Sequence, residues 1–155
     1  MSAPQYYVYK GKGEWLRDNL GYSQAVRVGD RIEISGQGEC PLENHVPYLT
    51  NVGLGGWEPY TETMDFPENI ADEIAQAFRN VDLVLKTAGG KGWSQVYRVN
   101  SYHTELNMDV TAIMTENFRK YMPNHQPIWT EIGVRQLGAP KMNVEIEVIA
   151  YDPQK

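Results

Sequence analysis

The sequence predicts an α+β sandwich, with a mixed sheet of about six strands and two helices on one of its faces. Short segments in which apolar and polar residues alternate are typical of strands that are buried on one side. Two longer segments carry apolar residues at every third or fourth position, which is the pattern of an amphipathic helix. No repeat or linker divides the chain, so we expect residues 1–155 to form a single domain.

The first strands of the sheet are indicated before residue 36. A short strand is expected at residues 6–9, and two half-buried strands are expected at 25–28 and 31–35. The Gly29-Asp30 dipeptide between the last two is a two-residue turn of the kind that closes hairpins.

Two amphipathic helices follow, separated by a strand at residues 95–102. Pro67 precedes the first helix and Gly89-Gly90 ends it, whereas Asp109 is expected to cap the second and Pro123 to end it. The first apolar stripe is formed by Ile70, Ile74, Ala77, Phe78, Val81, Leu85 and Ala88, and the second by Val110, Ile113, Met114, Phe118 and Tyr121.

Two strands, at residues 128–135 and 143–151, close the predicted sheet. If residues 137–142 connect them as antiparallel neighbours, Glu131 lies across from Glu145 or Glu147. By the alternation of the strands, Trp129, Glu131 and Glu145 are then expected on the side of the sheet away from the helices.

A segment without periodicity, at about residues 36–66, stands out because long irregular loops are uncommon in compact domains. It carries Tyr48, Trp57 and Tyr60 among many glycines and prolines. Two interpretations stay open: a surface loop whose aromatic residues pack on its own domain or on a neighbour, or a loop that walls a ligand cleft.

Charge and composition exclude several classes of protein. The net charge of −6 argues against a nucleic-acid-binding domain, and no apolar run approaches the roughly 18 residues that span a bilayer. The N-terminus does not have the order of a signal peptide, and the single Cys40 favours a reducing compartment, so a cytoplasmic protein is expected. His45, His103 and His125 do not have the spacing of metal ligands, so no metal is expected.

Four segments in this order resemble the RidA or YjgF-type family of reactive intermediate deaminases, also labelled L-PSP endoribonucleases. They are Tyr-Ser-Gln-Ala at 22–25 with Ile-Ser-Gly-Gln at 34–37, the helix at 77–89 with Asn80-Val81, the strand at 99–102 with Asn-Met-Asp at 107–109, and the strand at 144–150. The resemblance runs from about residue 22 to residue 150 and leaves out most of the 36–66 loop.

The resemblance implies a chorismate-mutase-like fold of the bacterial type, in which three chains form a homotrimer with a cleft at each subunit interface. In such clefts the family hydrolyses small enamines or imines to keto acids and ammonia without a cofactor. Position by position, the family's cleft residues fall on Tyr22, Ser35, Trp129, Thr130, Glu131 and Glu145.

The sequence departs from the family at two of these positions. In deaminating members, the position of Trp129 holds an arginine that pairs with the substrate carboxylate, and an indole cannot replace that contact of about 1.5–3 kcal/mol. Glu131 stands where a cysteine is frequent and adds negative charge. Both changes oppose a standard anionic 2-imino acid as the substrate.

The candidate chemistry is acid/base catalysis. Close carboxylates raise one another's pKa, so Glu145 with Glu131 would form an acid/base pair, with Tyr22 beside it. Trp129, Thr130, Ser35 and Gly36 are the candidate ligand-binding residues; Gly36 allows close approach to the backbone. The alternative for Glu145 and Glu147 is that both pair with Lys or Arg across subunits.

The sequence therefore favours a cofactor-free, RidA-like protein that acts on a small enamine, imine or related unstable carbonyl compound. A non-catalytic small-molecule-binding or regulatory trimer is the alternative. Endoribonuclease activity is a weaker alternative, because no basic groove is indicated.

Overall fold

The structure is a computed structural model that describes residues 3–38, 69–139 and 142–153. The predicted loop from residue 39 onward and the predicted helix entry at Pro67 lie outside the described residues. Residues 36–38 belong to the third strand and not, as the sequence predicts, to the irregular loop.

The described chain forms six strands, three α-helices and one short 3-10 helix. In chain order these are β1 (Gln5–Tyr7), α1 (Lys12–Leu20), β2 (Ala25–Val28), β3 (Arg31–Gly38), α2 (Ile70–Thr87), the 3-10 helix (Gly92–Gln95), β4 (Val96–His103), α3 (Met108–Tyr121), β5 (Ile128–Gly133) and β6 (Val144–Tyr151). The predicted strand–turn–strand at β2 and β3 is confirmed: Val28 pairs with Arg31 around Gly29, whose φ is 60°.

The six strands form one mixed sheet in the order β1-β2-β3-β6-β4-β5. All neighbours are antiparallel except β4 and β5, which are parallel and joined through α3. A parallel pair requires a long crossover, usually a helix, and α3 provides it. The α+β prediction is confirmed.

The position of β4 overturns one expectation. We expected β5 and β6 to be antiparallel neighbours, but β4 lies between them, so Glu131 aligns with Ser101 and not with Glu145 or Glu147. Sequence neighbours pair often but not always, and the alternation within a strand does not reveal its partner.

One helix was not predicted. In α1, Leu16 and Gly13 are the buried residues, so the helix has no wide apolar stripe. Its ends nevertheless carry local signals: Glu14 accepts a hydrogen bond from the N–H of Gly11, and Gly21 is left-handed at the C-cap.

The core lies between the sheet and the helices. Buried side chains of α2, with Phe78 stacked on Trp93 at a centroid distance of 4.4 Å, pack on the even-numbered residues of β6: Val144, Ile146, Val148 and Ala150. Asn69 caps α2 and Asn107 caps α3; Asp109 was expected to be that cap, but it donates its backbone N–H to Asn107. No helix among the described residues is both long and apolar enough to cross a membrane.

Candidate functional site

The odd-numbered residues of β6 point to the other face of the sheet and bring two carboxylates to it. Glu147 is held there, because its Oε1 accepts a hydrogen bond from Asn100 Nδ2 at 2.6 Å and one from the Tyr102 hydroxyl at 3.1 Å. Glu145 is the next residue along this face, and it aligns with Tyr102 on β4. We call this side of the sheet the open face.

Glu145 lies directly against Gly36. A β-carbon at Gly36 would overlap the Glu145 carboxyl group, so this position accepts no side chain while Glu145 keeps its place. The register of β3 on β6 shifts between Ile34 and Gln37, which makes Ser35 and Gly36 a bulge. Bulges are common beside active sites because they re-aim side chains.

Tyr22 lies near Glu145, and Ser35 precedes Gly36 in the bulge. The backbone N–H of Ser35 donates to the carbonyl of Gln24 at 2.9 Å, and the Ser35 hydroxyl lies 3.3 Å from the same oxygen. Tyr22 follows α1 directly, is 40% exposed and lies close enough for the charge of Glu145 to affect it. The structure therefore brings Tyr22, Gly36 and Glu145 together, whereas the contacts of Ser35 are with Gln24 and Gln37.

The electrostatics of this group favour proton transfer. Burial, and then the neighbouring charge of Glu147, raise the pKa of Glu145 above that of an ordinary glutamate. Burial raises the pKa of Tyr22 and of Tyr102 as well, and the nearby carboxylates add to both shifts. Glu145 thus keeps a proton at higher pH than a solvated carboxyl group, as a general acid requires.

Trp129 and Glu131 lie on the helix side of β5, which corrects the expectation that they face away from the helices. Trp129 donates its indole N–H to Ser101 Oγ at 2.9 Å and packs edge-on against Phe118. Glu131 aligns with Ser101, and Ser101 in turn aligns with the buried Ile146. Within one chain, Glu131 therefore cannot form the expected acid/base pair with Glu145.

Glu131 is part of a polar cluster that the sequence analysis missed. Its Oε2 accepts a hydrogen bond from the Thr111 hydroxyl at 2.8 Å, and its Oε1 lies 3.5 Å from Nε2 of His103. His103 is fully buried with Nε2 3.0 Å from Ser101 Oγ, and burial lowers the pKa of His103 to about 4. The imidazole is therefore neutral at pH 7.

Thr130 lies on the open face, aligned with Asn100, and is exposed. It shares that face with Glu147, although β4 separates their strands. Asn100 and Tyr102 were also missed; the alternation of β4 was their only signal in the sequence. Within the described residues, no group of three or more His, Cys, Asp or Glu side chains is arranged to hold a metal ion, and Cys40 and His45 lie outside those residues.

Comparison with known proteins agrees with this architecture. The family described as Endoribonuclease L-PSP matches residues 16–152. The RutC family protein YjgH of Escherichia coli strain K12 is 29% identical over 134 residues, covering 86% of this chain and 85% of the relative. A protein of Dermatophagoides farinae named 2-iminobutanoate/2-iminopropanoate deaminase is 33% identical over 129 residues, covering 83% of each.

The solved structure of protein YjgH has a TM-score of 0.71 with this chain, at 22% identity, and covers 99% of this chain and 100% of that one. At this identity the likeness supports the fold, and it confirms the expected chorismate-mutase-like fold. Together with the family match over residues 16–152, these findings show that the chain belongs to the Endoribonuclease L-PSP family, the RidA and YjgF-type proteins.

Proposed function

We propose that the protein hydrolyses a small imine or enamine to a carbonyl compound and ammonia, without a cofactor, in clefts between the subunits of a homotrimer. The substrate is not the standard anionic 2-imino acid, and the location is the cytoplasm. The observation that carries the proposal is the group formed by Tyr22, Gly36 and Glu145 on the open face, in which Glu145 has a raised pKa.

The chemistry needs one proton donor that later becomes a proton acceptor. Protonated Glu145 gives its proton to the nitrogen of an imine, or to the β-carbon of an enamine, and either step produces an iminium ion. The Glu145 carboxylate then accepts a proton from the water that adds to the iminium carbon. The resulting carbinolamine releases ammonia and leaves the carbonyl product.

The trimer is supported by the two faces of the sheet. Glu145 lies on the open face and Glu131 on the helix side, so one chain cannot present both to one small molecule. Large apolar side chains on the open face are unusually exposed, including Ile128 at 62% and Tyr151 at 53%. A second copy that covers this face would bury them and bring the two groups to one cleft.

The substrate class follows from the residue at the position of the family arginine. The relative named 2-iminobutanoate/2-iminopropanoate deaminase supports an imine as the reacting group. In this chain, Trp129 supplies no cation, and its single N–H donor is already used by Ser101. A neutral imine or enamine therefore fits better than one that carries a carboxylate.

The test is hydrolysis of two freshly generated imines, acetophenone imine, which carries no carboxylate, and 2-iminobutanoate, with ammonia release as the readout. We expect faster hydrolysis of the neutral imine and a loss of about 100-fold in Glu145→Gln, typical of a missing general acid or base. Glu116→Gln, an exposed change on α3, is the matched control and should leave the rate unchanged. Equal rates in Glu145→Gln and Glu116→Gln would refute the proposed role of Glu145.

Two other outcomes identify the alternatives. Saturable binding of the imine's ketone product, with no acceleration of either reaction, would indicate a binding or regulatory protein. Cleavage of single-stranded RNA would match the family's description as endoribonucleases, although the net charge of −6 opposes binding to a polyanion.

A further inference from the structure

We propose that Glu131 is a specificity-determining residue whose partly buried carboxylate excludes anionic ligands from the end of the cleft that β5 forms. The inference rests on the proposed function only in taking this part of β5 as a wall of the ligand cleft. Of the two roles expected from the sequence, Glu131 would keep the one of opposing an anionic ligand and would not share proton transfer with Glu145.

The Glu131 side chain is held in place. Only 15% of it is exposed, and the Thr111 hydroxyl on α3 fixes Oε2 at 2.8 Å. This hydrogen bond ties the carboxylate of a β5 residue to α3. The field of the carboxylate therefore acts on whatever occupies the neighbouring cleft, and partial burial weakens the screening by water and salt.

Within the described part of the chain, Glu131 forms no ion pair with a lysine or an arginine. The basic side chain nearest to it there is His103, at 3.5 Å, and that imidazole is neutral at pH 7. Ser101 and Thr111 contribute hydroxyl groups, which carry no net charge. The cluster of Glu131, His103, Ser101 and Thr111 therefore contains one acidic group and no lysine or arginine.

Trp129 cannot compensate either. Its indole N–H is committed to Ser101 Oγ, and its ring packs against Phe118 with the centroids 4.9 Å apart. Trp129 and Glu131 are two residues apart on the same side of β5, so their α-carbons lie about 7 Å apart. Any group at position 129 is thus within the range of the Glu131 charge.

This geometry predicts that one substitution does not create an anion site. An arginine at position 129 is long enough to reach Glu131, and the two would form an ion pair that consumes the new charge. Removing the carboxylate as well frees the guanidinium for a ligand. The ligand class thus depends on the pair of positions 129 and 131 and not on position 129 alone.

The experiment measures binding of 2-oxobutanoate and of 2-butanone, a neutral ketone of similar size, by isothermal titration calorimetry. The proteins are the unmodified chain, Trp129→Arg, the double variant Trp129→Arg/Glu131→Gln, and the control Trp129→Arg/Glu116→Gln, which removes an exposed charge instead. We expect the Glu131 double variant to bind 2-oxobutanoate at least tenfold more tightly than the other three. Equal affinity in Trp129→Arg, or in the Glu116 double variant, would overturn the inference.

Glu131→Gln alone keeps an acceptor for Thr111 and covers the case in which an arginine at position 129 prevents folding. We expect its preference for 2-oxobutanoate over 2-butanone to rise at least threefold relative to Glu116→Gln, and no rise would overturn the inference. None of these readouts requires turnover. If the preference between the charged and the neutral ligand changes as expected but no imine is hydrolysed, only the proposed function is contradicted. If imines are hydrolysed but that preference does not change, only the inference is contradicted.

Discussion

Glu73 offers a sharp test of how the structure holds the strand that carries Glu145. Its carboxylate is 1% exposed in the first turn of α2 and accepts three hydrogen bonds: from the backbone N–H of Asn143 at 2.5 Å, from the Asn143 side chain at 2.9 Å, and from the N–H of Val144 at 3.0 Å. These donors belong to the two residues that immediately precede Glu145. A buried carboxylate thus ties the start of β6 to α2.

Two substitutions separate the contributions. Glu73→Ala removes the acceptor of three hydrogen bonds, and an unsatisfied buried donor costs about 1–3 kcal/mol, so we expect a loss of about 4 kcal/mol in the free energy of unfolding. Glu73→Gln keeps one oxygen for the two backbone N–H groups but turns an NH₂ toward the Asn143 side chain. Its expected cost is about 1–3 kcal/mol.

The assay is urea unfolding followed by circular dichroism, with all proteins at the same concentration because subunit association would contribute to the apparent stability. Asp72→Asn is the control: it removes the same charge from the same helical turn at an exposed position, and we expect a loss below about 1 kcal/mol. A Glu73→Ala protein as stable as Asp72→Asn would refute the claim that this carboxylate holds β6.

Three further predictions concern the open face and the buried histidine. Gly36→Ala should displace the Glu145 carboxyl group and lower the rate of imine hydrolysis at least tenfold. The control Gly138→Ala adds a β-carbon in open space and should not change the rate, so equal rates in the two variants would contradict the contact between Gly36 and Glu145. The charge of Glu147 helps to raise the pKa of Glu145, so Glu147→Gln should lower that pKa. In a pH–rate profile, hydrolysis should then decline at a lower pH than in the unmodified protein, and an unchanged profile would contradict Glu145 as the titrating group. The pKa of His103 is about 4 in the folded protein, against 6.5 for an unperturbed histidine, which we take for the unfolded chain. Below pH 6.5 the unfolded chain therefore binds a proton that the folded protein does not, so the contribution of neutral His103 to stability is complete above pH 6.5 and is lost as the pH falls toward 4. Urea unfolding at pH 7 and pH 4 should show His103→Leu losing about 3 kcal/mol less than the unmodified chain, and parallel losses would contradict this.

The local elements could be predicted because neighbouring residues determine them. The apolar stripe of α2 and the alternation of β6 identify their buried faces directly, and Gly29 marks the turn between β2 and β3. The pairing of β5 could not be predicted in the same way. It depends on α3 carrying the chain back to run parallel to β4, and no pattern inside β5 records that crossover.

The face of β5 was misjudged for a related reason. Its alternation separates Ile128, Thr130 and Ile132 from Trp129 and Glu131, and the two isoleucines suggest the side that packs on the helices. The structure has the reverse arrangement: the isoleucines lie on the open face, whereas Trp129 and Glu131 lie under α3. The rule that apolar residues face the core of their own chain therefore fails for β5.

The reversal bears on the site as much as on the fold. If the proposed trimer buries the open face, Ile128 and Ile132 become interface residues, and their apolar character needs no other explanation. The same association would bring Glu145 of one subunit toward Glu131 of its neighbour. Within a single chain, these two residues lie on opposite sides of the sheet. Proton transfer would then be controlled by one subunit, through the pKa of Glu145, and ligand charge by another, through Glu131. A substitution of Glu145 would therefore alter the rate and not the selectivity, and a substitution of Glu131 would alter the selectivity and not the rate.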